Sequence, residues 1–208
     1  MMKKISLFLG TLILTVALCS TALAGEPQDR LKTGIDSVIA ILSNSALKGP
    51  AKRAERQAKL RTVADSFFDW HELSRRAAAE HWAKFSPKQQ DDFVVSFSEL
   101  LQKTYIRKLE KYNNEKVTYL KEQTEGDKAF INTQVSMKDK TIPINYYMIK
   151  HEQWMVYDVV VEGVSLVKNY RVQFAKILSK DSPESLIQRI KDKIKFLDEG
   201  KNVDDVAS

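Results

Sequence analysis

The middle of the chain restricts the fold most, because apolar residues there alternate at period two, whereas helical spacing dominates on either side. Four segments have the pattern of β-strands: residues 115–122, 128–138, 141–150 and 154–161. Only a few residues separate each segment from the next, and turn formers such as Gly126 and Asp139 lie between them. Short connections favour antiparallel pairing of consecutive strands. The sequence therefore predicts a four-stranded antiparallel meander.

Helical patterns flank this sheet in the sequence. Apolar residues recur at i, i+3 and i+4 spacing in six segments, 27–42, 51–68, 70–82, 87–109, 166–178 and 183–199. The clearest start is Ser86, an N-cap followed by Pro87 at the first helical position and by Gln89 as a capping-box partner. A four-stranded sheet can bury only one face against so many helices. We therefore expect an α+β layer structure with a curved sheet wrapped by helices.

The first 24 residues have the pattern of a secretory signal peptide. Lys3 and Lys4 precede an apolar run at residues 5–18, which is shorter than the ~20 residues needed to span a bilayer. The small residues Ala22 and Ala24 then form a site for signal peptidase. We predict export, cleavage after Ala24, and a single domain over residues 25–208.

Two other interpretations of the N-terminus remain open. The apolar run could be retained as an uncleaved anchor, or the chain could be a lipoprotein that is acylated at Cys19. Leu18 stands where lipoprotein processing requires a small residue. Cys19 is the only cysteine, so cleavage after Ala24 leaves a domain without disulfide or thiol, and its stability must come from packing.

The charge balance is mildly basic. The 33 basic residues outnumber the 27 acidic ones by six, and loss of Lys3 and Lys4 with the signal peptide reduces the excess to four. The densest basic stretch, residues 48–61, has no stacking platform or nucleic-acid-binding motif beside it, so we expect no nucleic-acid partner. This stretch is either a solvated helix face or a surface for anionic lipid headgroups or an acidic partner.

Sequence motifs of the common catalytic and metal sites are absent. The chain contains no H-E-x-x-H, G-x-S-x-G, P-loop or glycine-rich dinucleotide motif, and no acidic cluster with calcium-loop spacing. Its histidines, His71, His81 and His151, do not share the i, i+4 spacing of a metal pair. We therefore expect no metal and no cofactor.

Asp158 is the residue that favours catalysis most, because it interrupts the apolar run at residues 156–161. A carboxylate that pointed into an apolar cavity would have a raised pKa and could act as a general base. Strand alternation favours the alternative, in which Tyr157, Val159 and Val161 face inward and Asp158 accepts hydrogen bonds on the other face.

Three segments together resemble one family. They are DWHELSRRA at residues 69–77 leading into His81 and Trp82, SPKQQ at residues 86–90 followed by the apolar positions of the next helix, and WMVYDVVVEGVSLVKNYR at residues 154–171. In this order they resemble the MlaC family, the periplasmic phospholipid-binding component of the Mla lipid-transport system, which is also called the toluene-tolerance auxiliary family. Residues 157–170 carry the most specific part of the resemblance.

The resemblance implies a function and a fold. Such a protein is a periplasmic shuttle, not an enzyme, and exchanges phospholipid with an inner-membrane ABC transporter complex and an outer-membrane lipoprotein complex, which maintains outer-membrane lipid asymmetry. It also implies a cone-like α+β fold of the NTF2-like type. A cavity between the sheet and the helices would take the acyl chains and leave the headgroup near solvent.

Physical chemistry supports an apolar lining for such a carrier. Burial of one methylene is worth ~0.8 kcal/mol, so a chain of roughly 16 carbons is worth ~13 kcal/mol. The candidate lipid-binding residues are apolar or aromatic, and for each the alternative is an ordinary place in the core. They are Phe67, Leu73, Phe93, Phe97, Leu101, Tyr105, Val135, Ile144, Tyr146, Tyr157, Val159, Val161, Val164, Val167, Tyr170 and Phe174.

The candidate headgroup contacts are the cations Arg75, Arg76, Lys168 and Arg171, for which ordinary surface charge is the alternative. Two competing functions also remain. One is a small exported hydrolase or isomerase on the same cone-like fold, which would use Asp158 and the histidines. The other is a structural adaptor, which predicts a core filled by side chains.

Overall fold

The structure, a computed structural model, describes residues 26–110, 112 and 114–199. The predicted signal peptide, the cleavage site after Ala24 and Cys19 lie outside these residues. The helices are α1 (Glu26–Ser43), α2 (Arg53–Phe67), α3 (Trp70–Ala78), α4 (Pro87–Leu109), α5 (Leu166–Leu178) and α6 (Pro183–Asp198). The strands are β1 (Lys116–Glu125), β2 (Lys128–Ser136), β3 (Thr141–Lys150), β4 (Trp154–Val161) and β5 (Val164–Ser165). Among the described helices, none is long and apolar enough to cross a membrane.

The predicted antiparallel meander is confirmed, with one strand added. The sheet order is β1-β2-β3-β4-β5, and each strand is antiparallel to the next. The added strand β5 arises because Glu162 and Gly163 both adopt positive φ, 49° and 83°. This two-residue turn folds Val164 back onto Val161 before α5 begins.

Two register shifts bend the sheet. One lies between Tyr119 and Lys121 in β1. The other lies opposite Tyr157, where Val156 pairs with Met148 and Asp158 pairs with Tyr147, so Tyr157 is left without a partner in β3. An extra residue of this kind kinks a strand and increases its twist. The sheet is therefore curved, and Val156 and Val159 share its concave face although they are three residues apart.

Side-chain caps fix where several helices begin. The predicted capping box is present: Gln89 N–H donates to Ser86 Oγ at 3.3 Å, and Ser86 N–H donates to Gln89 Oε1 at 2.7 Å. The Asp69 carboxylate accepts from Glu72 N–H at 2.8 Å and starts α3. The predicted helix over residues 70–82 is shorter than expected, because Ala79 has φ 50° and the chain continues as a 3₁₀ segment, Ala79–Lys84.

Apolar side chains form two separate clusters. The larger one joins α3, α4, α5 and α6 and contains many edge-to-face contacts between aromatic rings. The ring centroid of Phe97, for example, lies 5.0 Å from that of Phe174 and 4.8 Å from that of Tyr170. The smaller one joins Leu31 of α1 to the concave face of the sheet. The space between α1, α2, the end of α4 and the sheet is not filled by either cluster.

Candidate functional site

An apolar cavity of about 560 Å³ occupies this space. One wall is helical and consists of α1, α2 and the C-terminal half of α4, from Leu101 to Leu109. The other wall is the concave face of the sheet, with contributions from β1, β2, β3 and β4. A cavity of this volume lies within the usual range of ligand-binding pockets.

The cavity is closed at one end and open at the other. At the closed end Leu31, Phe67 and Val156 are buried. Leu109 and Met137 mark the open end, where each is 41% exposed. The cavity therefore opens to solvent where α4 and β2 end.

A glycine brings the two helices of the wall together. An added Cβ at Gly34 of α1 would lie only 2.7 Å from ring carbons of Phe67 in α2. The guanidinium of Arg30 lies 3.8 Å from the centroid of the same ring. This close approach fixes α1 against α2 at the closed end, so both helices face the same space.

Away from the open end, where Lys108 and Glu115 lie, the polar groups in the described wall are neutral or hydrogen-bonded. The side chain of Gln102 donates to Asp65 Oδ1 at 2.7 Å. Burial raises the pKa of the Tyr146 hydroxyl well above its usual range and also raises the pKa of Tyr105, so both phenols are protonated at neutral pH. The interior of the described wall is thus uncharged and suits hydrocarbon.

Half of the residues predicted to bind lipid lie in the cavity wall. These are Phe67, Leu101, Tyr105, Val135, Ile144, Tyr146, Val159 and Val161. They come from α2, the end of α4 and strands β2 to β4, so the structure brings together positions that are far apart in sequence.

The other half lie outside the wall of this cavity, and their contact with lipid stays a prediction. Six of them pack in the larger cluster instead: Leu73, Phe93, Phe97, Val167, Tyr170 and Phe174. Tyr157 lies beyond the register shift of β4, and its ring is stacked under the Arg76 guanidinium at 4.1 Å. Val164 is 61% exposed in the short strand β5.

The sequence analysis also missed part of the wall. The stripe of α1, which includes Ile35, Val38 and Leu42, was recognised as helical but not as part of the site. Trp70, Val117 and Val156 were missed as well. The sequence of α1 did contain a signal for this wall. Its apolar stripe continues well beyond Leu31, which is buried in the smaller cluster, so the later apolar residues need another partner.

The predicted headgroup cations lie away from the cavity wall. Arg75 and Arg76 both bind Glu72 at 2.7 Å, and Arg171 Nε donates to the backbone oxygen of Arg76 at 3.0 Å. Lys168 is exposed near the start of α5. The open end of the cavity is instead formed by the end of α4 and the residues before β1, where Lys108 and Glu115 are the charged side chains of the described wall.

Asp158 has a structural role. It is 8% exposed, and its carboxylate accepts from Ser165 Oγ at 2.6 Å and from Val167 N–H at 3.0 Å. It therefore caps the start of α5 and does not line the cavity, as the strand alternation predicts. Within the described part of the chain, no group of three or more potential metal ligands is placed to hold a metal ion.

Three of the matches with known proteins bear on this site. Residues 32–192 match the family described as MlaC protein. The Haemophilus influenzae protein named Intermembrane phospholipid transport system binding protein MlaC is 29% identical over 122 residues. That alignment covers 55% of this chain and only 57% of the length of the relative.

The third match is a solved structure. It is that of the phospholipid-binding protein from Ralstonia solanacearum, which was determined in complex with a phospholipid. The TM-score is 0.73 at 25% sequence identity, over 83% of this chain and 98% of the other. The match therefore covers most of this chain.

Proposed function

This chain belongs to the MlaC family, and from that premise we propose that it is a phospholipid carrier and not an enzyme. The observation that carries the proposal is the apolar cavity of about 560 Å³, with an uncharged interior and one open end. The phospholipid bound to the Ralstonia solanacearum protein, which has the same fold, supports this choice of ligand.

The size of the cavity fits acyl chains. A methylene group takes about the space of a water molecule, ~30 Å³, so the cavity accommodates roughly 18 methylene groups. At ~0.8 kcal/mol for each, their burial is worth on the order of 14 kcal/mol. This gain offsets the cost of moving one acyl chain of about that length out of a bilayer.

The carrier acts in the periplasm, as a shuttle between two membranes. Its signal peptide is cleaved after Ala24, and residues 25–208 form its single domain. It exchanges phospholipid with an inner-membrane ABC transporter complex and an outer-membrane lipoprotein complex, and so maintains outer-membrane lipid asymmetry. It needs no cofactor. These points rest on the pattern of residues 1–24 and on membership of the family.

The competing functions have less support. A structural adaptor requires a filled core, and the cavity contradicts that requirement. A hydrolase that used Asp158 requires this carboxylate in the cavity. The Asp158 carboxylate instead lies outside the cavity wall, where it accepts hydrogen bonds from Ser165 Oγ and Val167 N–H.

Transfer between vesicles tests the proposal. Donor vesicles contain deuterated phospholipid, acceptor vesicles contain the unlabelled lipid, and the two populations are separated and analysed by mass spectrometry. Catalytic amounts of the mature protein are expected to accelerate the exchange. If the folded protein leaves the rate at that of protein-free vesicles, the proposed function is refuted.

A further inference from the structure

A second, polar pocket adjoins the open end of the apolar cavity. It has a volume of about 590 Å³, and its wall runs from Ser136 to Lys140 and includes Asn114 and Glu115. Glu115 and Met137 belong to both walls, so the two spaces adjoin each other. A molecule with its chain in the apolar cavity therefore has its polar end in or beside this pocket.

The turn between β2 and β3 places two lysines at this pocket. Ser136 ends β2 and pairs with Thr141 of β3, and Met137 N–H donates to the Lys140 oxygen at 2.8 Å. This bond closes a tight turn that holds Lys138 and Lys140 in the pocket wall.

A third lysine approaches from the helical side. Lys108 belongs to the last turn of α4, and its side chain lines the apolar cavity. Its Nζ lies 5.2 Å from the centroid of the Tyr105 ring, which is also part of the wall. The ammonium group thus lies near the Tyr105 ring in the wall of the apolar cavity, which shares Glu115 and Met137 with the polar pocket.

These three lysines differ from other cations near the cavity, because they form no ion pair with any carboxylate of residues 26–110, 112 and 114–199. Arg56, by contrast, binds Glu110 at 2.6 Å. Glu115 and Asp139 equal Lys138 and Lys140 in number in the polar pocket, so Lys108 of the adjoining wall gives the described junction an excess of one positive charge. The junction of the two spaces therefore carries positive charge available to an anion.

We propose that Lys108, Lys138 and Lys140 bind the phosphate of the phospholipid headgroup. The inference rests on the proposed function, because the acyl chain in the apolar cavity is what brings the phosphate to this place. Ammonium groups bind a phosphate through charge-assisted hydrogen bonds without demanding one orientation. The site therefore recognises the phosphate that phospholipids share and leaves the rest of the headgroup in solvent.

Two ligands with the same acyl chain separate the phosphate from the tail. One is a lysophospholipid, and the other is a monoacylglycerol, which has no phosphate. Each is titrated below its micelle concentration, and binding is followed by the fluorescence of Trp70, which lines the cavity. The test variant combines Lys108→Gln, Lys138→Gln and Lys140→Gln, which removes three charges and retains polar side chains.

The matched control removes the same number of charges elsewhere. Lys121, Lys176 and Lys180 are exposed and lie outside both pockets, so Lys121→Gln, Lys176→Gln and Lys180→Gln form the control. Exposed charge interactions are weak, so we expect the test variant to bind the lysophospholipid roughly tenfold more weakly than the control does. Its affinity for the monoacylglycerol stays unchanged.

The outcomes separate the two proposals. Equal lysophospholipid affinity in the test and control variants overturns the phosphate site and leaves the carrier function intact. An equal loss of affinity for both ligands also overturns the phosphate site, because the three substitutions would then weaken binding of the acyl chain and not of the phosphate. Failure of the unmodified protein to bind either ligand refutes the proposed function itself.

Discussion

Filling the cavity with a side chain should remove lipid binding without loss of stability. Val159 lies in the cavity wall on β4, and Val159→Trp directs a larger side chain into empty space. The added atoms take about 90 Å³, the space of about three methylene groups. Their displacement costs the lipid ~2.4 kcal/mol, which is roughly a 60-fold loss of affinity.

The same substitution in the filled core is the matched control. Val167 is buried in the larger cluster and lies outside the cavity wall. There is no space for the added ring, so Val167→Trp is expected to cost about 1–3 kcal/mol of unfolding free energy. Lipid affinity should fall little as long as the control protein remains folded.

Two assays measure the pair. Urea denaturation gives the unfolding free energy, and titration with a lysophospholipid gives the dissociation constant. The reasoning is refuted if Val159→Trp destabilises the protein as much as Val167→Trp does, since that would mean the space beside Val159 is already filled. It is also refuted if Val159→Trp binds lipid like the unmodified protein.

Three further predictions concern stability. Asp158→Asn weakens the charge-assisted hydrogen bonds to Ser165 and Val167, so urea denaturation should show an unfolding free energy lower by about 1–3 kcal/mol. The lipid content of the purified protein should stay the same. A lower lipid content at unchanged stability would contradict the capping role. Gly34→Ala places a Cβ against the Phe67 ring, so we expect the same assay to show an unfolding free energy lower by about 1–3 kcal/mol. An unchanged unfolding free energy would contradict the close packing of α1 against α2. The pKa of Glu72 is lowered although burial opposes this, because Arg75 and Arg76 donate hydrogen bonds to its carboxylate. Its stabilising effect is therefore complete above the ordinary pKa near 4.5 and is lost as the pH falls through the lower folded value. Glu72→Gln should make the unfolding free energy less dependent on pH in that acidic range, and an unchanged pH dependence would argue against the ion pairs.

Much of the fold could be predicted from the sequence because the relevant signals are local. Period-two alternation located the strands of the meander, and the residues that follow Ser86 located the start of α4. The added strand β5 was missed because two residues after a turn are too few to show any alternation.

The cavity wall was harder to predict, because it depends on how elements pack. α4 is apolar along its length, yet Phe93 and Phe97 lie in the filled cluster whereas Leu101 and Tyr105 face the cavity. Periodicity marks a buried helix face and does not tell a neighbouring side chain from empty space.

A single inserted residue explains the error in β4. Strict alternation places Tyr157 and Val159 on the same face, but the register shift at Tyr157 breaks the alternation and sends its ring to Arg76. The partners of the predicted headgroup cations could not be read from the sequence for a related reason. The sequence shows that Arg75 and Arg76 are charged, but only the structure shows that Glu72 binds both.

The lipid content of the protein itself tests the central claim most directly. The mature protein is purified from a native cell envelope without detergent, extracted with organic solvent, and its lipids are quantified by mass spectrometry against the protein concentration. We predict close to one phospholipid per protein molecule, and a markedly lower amount in Val159→Trp. A folded protein that carries no phospholipid, or the same amount with the cavity filled by tryptophan, would contradict the account.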